Sequence, residues 1–162
     1  MKASALFLLS LFLFSGSRLD STPDGAISWM SISDALSAAP TQNKKIVLDV
    51  YTDWCGWCKR MDRDVYANSE VVRYLDGHFV ASKMNPEKQG SVNYFDNKYS
   101  LAEFGQALGI RGYPATAFFN EKGEVLTVVS GYIKAPEFLK ILTYFGDNHY
   151  LTTTWEEYAK SN

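Results

Sequence analysis

The sequence predicts an α/β fold in which helices cover both faces of a mixed central sheet. Short apolar runs rich in β-branched residues alternate with helix-like patterns along most of the 162 residues. This alternation indicates a sheet with a parallel component. A late pair of apolar runs, joined by the turn NEKG, indicates an antiparallel hairpin that makes the sheet mixed. Hydrophobic residues at 46% and aromatic residues at 15% supply the apolar side chains that a folded core needs.

Length and charge limit the classes of protein that fit. A chain of 162 residues suits one domain, which we expect over residues 18–162, with its core at about 45–145 and a tail at 146–162. The formal net charge of −2 gives no electrostatic reason to expect nucleic acid or an anionic membrane as a partner. We therefore expect a globular protein without a nucleic-acid partner, and we also expect a monomer.

The first residues differ in character from the rest of the chain. Lys2 is followed by the apolar run ALFLLSLFLF over residues 5–14, and then by the small residues Ser15 to Ser17. This order is typical of a secretory signal, which we predict over residues 1–17. The alternative is an uncleaved N-terminal membrane anchor. Either reading predicts an exported protein, periplasmic where the cell has a periplasm.

The first elements of the domain are a helix and a strand. The segment WMSISDALSAA places apolar residues at helical spacing over Trp29–Ala39, and Ser31 or Ser33 can cap its N-terminus. Pro40 is expected to end this helix. The apolar run Ile46–Tyr51 is rich in β-branched residues and predicts a buried strand.

A second helix is predicted at KRMDRDVY, directly after the cysteine motif, and a third follows it. Asn68 or Ser69 can cap the third helix, and Gly77 is expected to stop it. The remaining predictions are a strand at His78–Met84, a polar loop or insertion at Asn85–Lys98, a helix at Ser100–Leu108, hairpin strands at Ala115–Phe119 and Val125–Val129, a helix at Ala135–Phe145, and a short last helix at WEEYAK.

The only two cysteines of the chain, Cys55 and Cys58, lie within the stretch TDWCGWCKRMD at a strand-to-helix junction. Thiol–disulfide exchange needs an accessible thiolate and a second thiol near enough to resolve the mixed disulfide. A helix N-terminus offers unpaired N–H groups and partial positive charge, which lower the pKa of a thiol placed there. We therefore predict that Cys55 attacks the substrate, and that Cys58, one turn further on, is the more buried.

From about Lys45 to Leu142 the chain resembles the thioredoxin superfamily, and the stretch VLDVYTDWCGWCK resembles that family's strand, Trp-Cys pair and active-site helix. The resemblance implies a thioredoxin-like fold. It also implies that Asp49, six positions before the first cysteine, is the buried acid that helps take the proton of Cys58 through water. Lys83 on the next strand matches the lysine that partners this acid.

The stretch GIRGYP resembles the family's cis-proline motif. The resemblance implies that Pro114 faces the disulfide and that the backbone of Tyr113 pairs with the substrate chain. Between the cysteines, Gly56 and Trp57 stand where family thioredoxins carry Gly-Pro, and this dipeptide influences the redox potential. The direction of electron flow therefore stays open. In its further features the chain is similar to exported thioredoxin-like proteins and to the C-terminal domain of the transmembrane thiol:disulfide interchange reductases.

The resemblance implies an exported oxidoreductase that reduces protein disulfides, needs no cofactor and receives electrons from a membrane thiol donor. One alternative is a disulfide-donating oxidase or isomerase. Another is a non-catalytic binding or chaperone module, because Trp54, Trp57 and Tyr113 would form an apolar patch. No metal is expected, because CxxC supplies two of the four ligands of a closed zinc site, and neither His78 nor His149 has a ligand-like spacing.

Overall fold

The structure, a computed structural model, describes residues 25–161, so the predicted signal segment at 1–17 lies outside the described residues. Helices and strands alternate as the sequence predicts. Their bounds are α1 Ile32–Gln42, β1 Lys45–Val50, α2 Gly56–Asp64, α3 Ser69–His78, β2 Phe79–Met84, β3 Ser91–Tyr94, β4 Asn97–Ser100, α4 Leu101–Ala107, β5 Ala115–Phe119, β6 Val125–Ser130, α5 Ala135–Gly146, a 3₁₀ turn His149–Leu151, and α6 Trp155–Ser161. Within residues 25–161, no helix is long and apolar enough to cross a bilayer.

The central sheet has the strand order β2-β1-β5-β6. β1 pairs in parallel with β2 and antiparallel with β5, and β5 and β6 form the predicted hairpin. The predicted mixed sheet is therefore confirmed. Because of this register, Asp49 of β1 lies beside Lys83 of β2 on one side and Thr116 of β5 on the other.

Each face of the sheet carries its own hydrophobic core. Alternating side chains of the strands divide between the two faces, since Val47 belongs to one core and Leu48 to the other. Val47 packs with side chains of α2, α3 and α5. Leu48 packs with side chains of α1 and α4. The helices therefore cover both faces, as predicted.

The first helix is shifted by three residues from its predicted bounds. Ser31 is the N-cap and accepts a hydrogen bond from the backbone N–H of Asp34 at 3.1 Å. Before it, Met30 is extended and bridges to the edge strand β2. The prediction that Pro40 ends the helix is wrong, because α1 continues to Gln42 and ends at Asn43 in a left-handed conformation. The fixed φ of proline suits a helix, and near its end the missing N–H removes only one hydrogen bond.

The prediction that residues 85–98 form a loop is wrong for part of this range. Its latter part forms the antiparallel hairpin of β3 and β4, with Phe95 at a positive φ of 50° in the turn. Val92 is buried, and the ring of Tyr94 lies 5.1 Å from that of Phe104. Only one face of the hairpin contacts the core, so apolar side chains alternate with polar ones over a few residues. This short alternation is difficult to recognise in a sequence segment that is mostly polar.

The remaining differences are small. Asn68 rather than Ser69 caps α3, and its side chain accepts from the N–H groups of Glu70 and Val71. Gly77 does not stop this helix, which ends one residue later at His78. An isolated glycine within the last turn costs helix stability without breaking the hydrogen-bond pattern.

Candidate active site

The two cysteines are joined on the first turn of α2. Cys55 is the N-cap of the helix, and its sulfur is bonded to that of Cys58 with an S–S distance of 2.10 Å. The backbone N–H of Cys58 also points at the Cys55 sulfur, with 3.0 Å between Sγ and N. The expectation that Cys58 is the more buried is wrong for this oxidised form, because each cysteine is 4% exposed. The bond holds both sulfurs side by side on the same turn.

Exposed aromatic rings flank this disulfide. Trp54 is 67% exposed and Trp57 is 55% exposed. The ring of Trp54 lies 6.0 Å from that of Tyr113 in an edge-on arrangement. Trp57 lies 5.4 Å from Tyr132, and the Arg60 guanidinium is within 5.4 Å of both of these rings. Aromatic rings and the Arg60 cation therefore lie beside the disulfide turn.

The Tyr113–Pro114 peptide bond is cis, as the resemblance implies. Both residues border a groove of about 370 Å³ whose lining includes Trp57, Gly131 and Tyr132. Since Trp57 stands between the two cysteines in the chain, the groove adjoins the disulfide turn. The structure thus brings together three of the predicted groove residues, Trp57, Tyr113 and Pro114.

Asp49 is the penultimate residue of β1 and is 2% exposed. Its Oδ2 lies 3.4 Å from the Lys83 ammonium, and the Tyr66 hydroxyl donates a hydrogen bond to its Oδ1 at 3.1 Å. Burial raises the pKa of Asp49 from 3.8 to about 6, although Lys83 and Tyr66 act in the opposite direction. A carboxyl with this pKa can accept or release a proton near neutral pH.

Lys83 interacts with other side chains besides Asp49. Its ammonium also forms an ion pair with Asp62 of α2, and it lies 4.9 Å from the ring centre of Trp29 and 5.2 Å from that of Tyr51. Neither Tyr66 nor Asp62 is among the site residues predicted from the sequence. Asp62 follows Cys58 by four positions, so helical spacing is a signal for its placement on the same face. No local pattern pointed to Tyr66, because its contact with Asp49 joins distant parts of the chain.

The remaining residues considered from the sequence, Gly56, His78 and His149, form no hydrogen bond or ion pair with the buried acid or its lysine in the part of the chain that the structure describes. Gly56 is exposed, and a side chain built there would meet no atom within 4 Å. His78 stacks on Tyr74, and His149 packs against the ring of Tyr158. Within residues 25–161, no three or more His, Cys, Asp or Glu residues are grouped so that they could hold a metal ion.

Comparison with known proteins extends the resemblance to most of the chain. Residues 32–146 match the sequence model of a family described as a thioredoxin-like domain. One curated relative is the thiol:disulfide interchange protein DsbD of Vibrio cholerae, 30% identical over 117 residues. The match covers 71% of this chain and 18% of that protein, so the chain spans less than a fifth of its relative's length.

Two solved structures show the same fold. A candidate disulphide-isomerase from Bacteroides thetaiotaomicron is 32% identical, with a TM-score of 0.60, and the match covers 76% of this chain and 95% of that one. The oxidised C-terminal domain of Neisseria meningitidis DsbD is 23% identical, with a TM-score of 0.50, and the match covers 70% and 96% of the two chains. The predicted similarity to that domain is confirmed.

Proposed function

This chain belongs to the thioredoxin-like domain family, and we propose that it is an exported thiol–disulfide oxidoreductase that reduces protein disulfides. The observation that carries the proposal is the Cys55–Cys58 disulfide at the N-terminus of α2, beside the groove of Tyr113 and Pro114. The relatives named thiol:disulfide interchange proteins support the same class of chemistry.

The reaction begins from the reduced protein. The Cys55 thiolate attacks one sulfur of a substrate disulfide, which forms a mixed disulfide and releases the other substrate sulfur as a thiolate. Cys58 then loses its proton, which Asp49 takes, and attacks the Cys55 sulfur. This step breaks the mixed disulfide, leaves the substrate with two thiols and leaves the protein with the Cys55–Cys58 disulfide. Two electrons have passed to the substrate, and a dithiol protein at the membrane must restore them.

The position of Cys55 supports its proposed role as the attacking thiol. As the N-cap of α2 it faces the partial positive charge of the helix N-terminus, and its sulfur accepts from the N–H of Cys58. A thiolate formed at this atom keeps the same hydrogen bond, which favours ionisation. Cys58 lies inside the first turn and must therefore be activated by a base.

Reduction is favoured over oxidation because Asp49 and Lys83 are paired as in reducing members of the family. Two alternatives have observations of their own. The similarity to a candidate disulphide-isomerase favours a disulfide-donating or isomerising role. The exposed rings of Trp54 and Trp57 suit a binding module, although an exchange centre that grips extended substrates needs the same surface.

Insulin reduction with dithiothreitol as the electron source separates an exchange enzyme from a binding module. We expect Cys55→Ser to lower the rate to that of dithiothreitol alone, because no attacking thiolate remains. Cys58→Ser should instead accumulate a mixed disulfide with insulin, visible by mass spectrometry. An unchanged rate in Cys55→Ser would overturn the proposal, and Ser69→Ala serves as a control outside the site.

The reduction potential of the Cys55–Cys58 pair tests the direction of electron flow. It is measured by equilibrating the protein with dithiol redox buffers and following tryptophan fluorescence. Trp54 and Trp57 flank the sulfurs, so their emission should report the redox state. A potential near thioredoxin's value of about −270 mV would support the reductase, whereas a value near about −120 mV would support a disulfide donor.

Export is the third part of the proposal, and it is supported by the apolar run at residues 5–14 followed by small residues. The intact mass of the protein recovered outside the cytoplasm tests it. Loss of about the first 17 residues would support a cleaved signal, and the full mass in the membrane fraction would support an anchor.

A further inference from the structure

The loop at residues 85–90, between β2 and β3, holds the turn that precedes the disulfide. Glu87 accepts a hydrogen bond from the indole N–H of Trp54, with both carboxylate oxygens within 3.1 Å of Nε1. Asn85 donates from its side chain to Asp53 at 3.2 Å, and the Lys88 ammonium lies 2.5 Å from the same carboxylate. Three side chains of one loop therefore contact two consecutive residues of the active-site turn.

The loop is itself ordered by Asn85. This residue is 4% exposed, and its side-chain oxygen accepts from the backbone N–H of Glu87 at 2.9 Å. Its backbone carbonyl accepts from the N–H of Lys88 at 3.1 Å. An Asn that bonds to the backbone two residues ahead forms a well-defined turn. The backbone of Glu87 is therefore held in place, and this positions its carboxylate for the hydrogen bond with Trp54.

The contact restrains an aromatic ring that is largely exposed. Trp54 is 67% exposed, and an exposed side chain ordinarily samples several rotamers. Here its N–H is held by Glu87 and its ring meets the edge of Tyr113. A ring that is already fixed loses little conformational entropy when a ligand packs on it, so it binds more tightly than a mobile one.

A second groove also borders Tyr113. It measures about 270 Å³, and Glu87, Ile110 and Arg111 are among the residues that line it together with Tyr113. Tyr113 therefore borders both grooves. An extended polypeptide that crosses Tyr113 has the length to occupy both grooves at once, whereas a small disulfide has fewer atoms to place in them.

We propose that Glu87 is a positioning residue that fixes Trp54 as part of the substrate-binding surface, so that the protein favours disulfides within extended polypeptides over small-molecule disulfides. This inference rests on the proposed function. Glu87 acts through Trp54 and takes no part in the exchange of sulfurs. Its removal should weaken the binding of a polypeptide and leave the chemical step unchanged.

The experiment compares insulin with glutathione disulfide as substrates of the wild type and of Glu87→Ala. We expect KM for insulin to rise about two- to tenfold, the factor that corresponds to ordering one side chain on binding. We expect kcat for insulin, and both constants for glutathione disulfide, to stay unchanged. Glu87→Gln retains one acceptor oxygen and should give an intermediate KM.

Two controls separate this role from a general effect on the loop. Gln89→Ala changes an exposed residue of the same loop and should leave all constants unchanged. The solvent exchange of the Trp54 indole N–H, followed by ¹⁵N NMR on the full chain, tests the contact without any assay of activity. Exchange should be slower in the wild type than in Glu87→Ala.

The outcomes distinguish this inference from the proposed function. A wild type that does not reduce insulin above the background rate contradicts the proposed function. An active wild type with the same KM for insulin as Glu87→Ala contradicts the inference alone. Equal losses on insulin and glutathione disulfide also contradict it, because they would place the effect on the reactivity of Cys55.

Discussion

At the scale of single residues, Asp49 shows how burial and charge compete. The carboxyl is buried, and its cationic partner Lys83 is shared with Asp62. Burial has the larger effect on its pKa, which lies near 6 rather than at 3.8. Folding therefore favours the protonated acid, a property that suits the proposed transfer of a proton from Cys58 to Asp49.

This raised pKa predicts a pH dependence of stability. The unfolded chain loses the proton of Asp49 near pH 3.8, and the folded chain keeps it to about pH 6. The stabilising contribution of the protonated acid is complete below pH 3.8 and is lost as the pH rises through 6. We expect the free energy of unfolding of the wild type, relative to Asp49→Asn, to fall by about 2–3 kcal/mol between pH 4 and pH 7.

Urea unfolding of the oxidised proteins at the two pH values measures this difference. Asp53→Asn is a control of opposite sign, because the hydrogen bond from Lys88 lowers the pKa of Asp53. Stability from Asp53 is present above its unfolded pKa and lost as the pH falls through the folded value. A constant difference between wild type and Asp49→Asn from pH 4 to pH 7 would show that the acid is not perturbed by burial.

At the scale of elements, the caps decide where the helices begin. Ser31, Asn68 and Ser100 each use a side-chain oxygen to accept from N–H groups of the first turn. For α1 and α3 the sequence offered two candidates, and the structure selects one in each case. Residue type does not separate the two candidates in each case, because Ser and Asn are both favoured at the N-cap.

The assignment of Asn68 as the cap of α3 predicts that substitutions at Asn68 and at the neighbouring Ser69 have different effects on the free energy of unfolding. Asn68→Ala should lower the free energy of unfolding by about 1 kcal/mol, because two N–H groups of the helix lose their acceptor. Ser69→Ala should change it by less than about 0.5 kcal/mol, because Ser69 is exposed and is not the cap. Urea denaturation at pH 7 measures both variants. Equal effects of the two substitutions would contradict the assignment of Asn68 as the cap.

At the scale of the whole molecule, the C-terminal tail packs onto the domain. The ring of Trp155 lies 5.4 Å from that of Tyr144 in α5, and Tyr150 lies 5.5 Å from Phe145. The Tyr144 hydroxyl also donates to the backbone carbonyl of Thr153 at 2.7 Å. Tail and domain therefore share one hydrophobic core on the face of α3 and α5.

Removal of one tail ring should therefore affect the stability of the whole domain. We expect Trp155→Ala to lower the free energy of unfolding by about 2 kcal/mol, less than for a fully buried tryptophan because the ring is partly exposed. Insulin reduction should be unaffected. Leu151→Ala is the control, since Leu151 is 68% exposed and should contribute less than about 0.5 kcal/mol. A stability of Trp155→Ala equal to that of the wild type would show that the tail adds nothing to the fold.

Much of the fold follows from local pattern. Apolar runs and helical spacing predict the four strands of the central sheet and helices close to their observed bounds, because side chains that face a core must repeat with the period of their element. The hairpin of β3 and β4 was missed because its polar residues outnumber its buried ones. The continuation of α1 past Pro40 was missed because the fixed φ of proline is compatible with a helix, and near the helix end only one hydrogen bond is lost.

The sequence by itself determined the cysteine pair, its place at a helix start, and the candidates Asp49, Lys83, Tyr113 and Pro114, since these depend on spacing along the chain. Only the tertiary structure decided that Tyr66 and Asp62 share the site of Asp49 and Lys83, and that Glu87 holds Trp54. The reason is physical. These contacts join elements far apart in sequence, and the distance between two side chains across a fold is set by how strands align and helices pack, which no local pattern records.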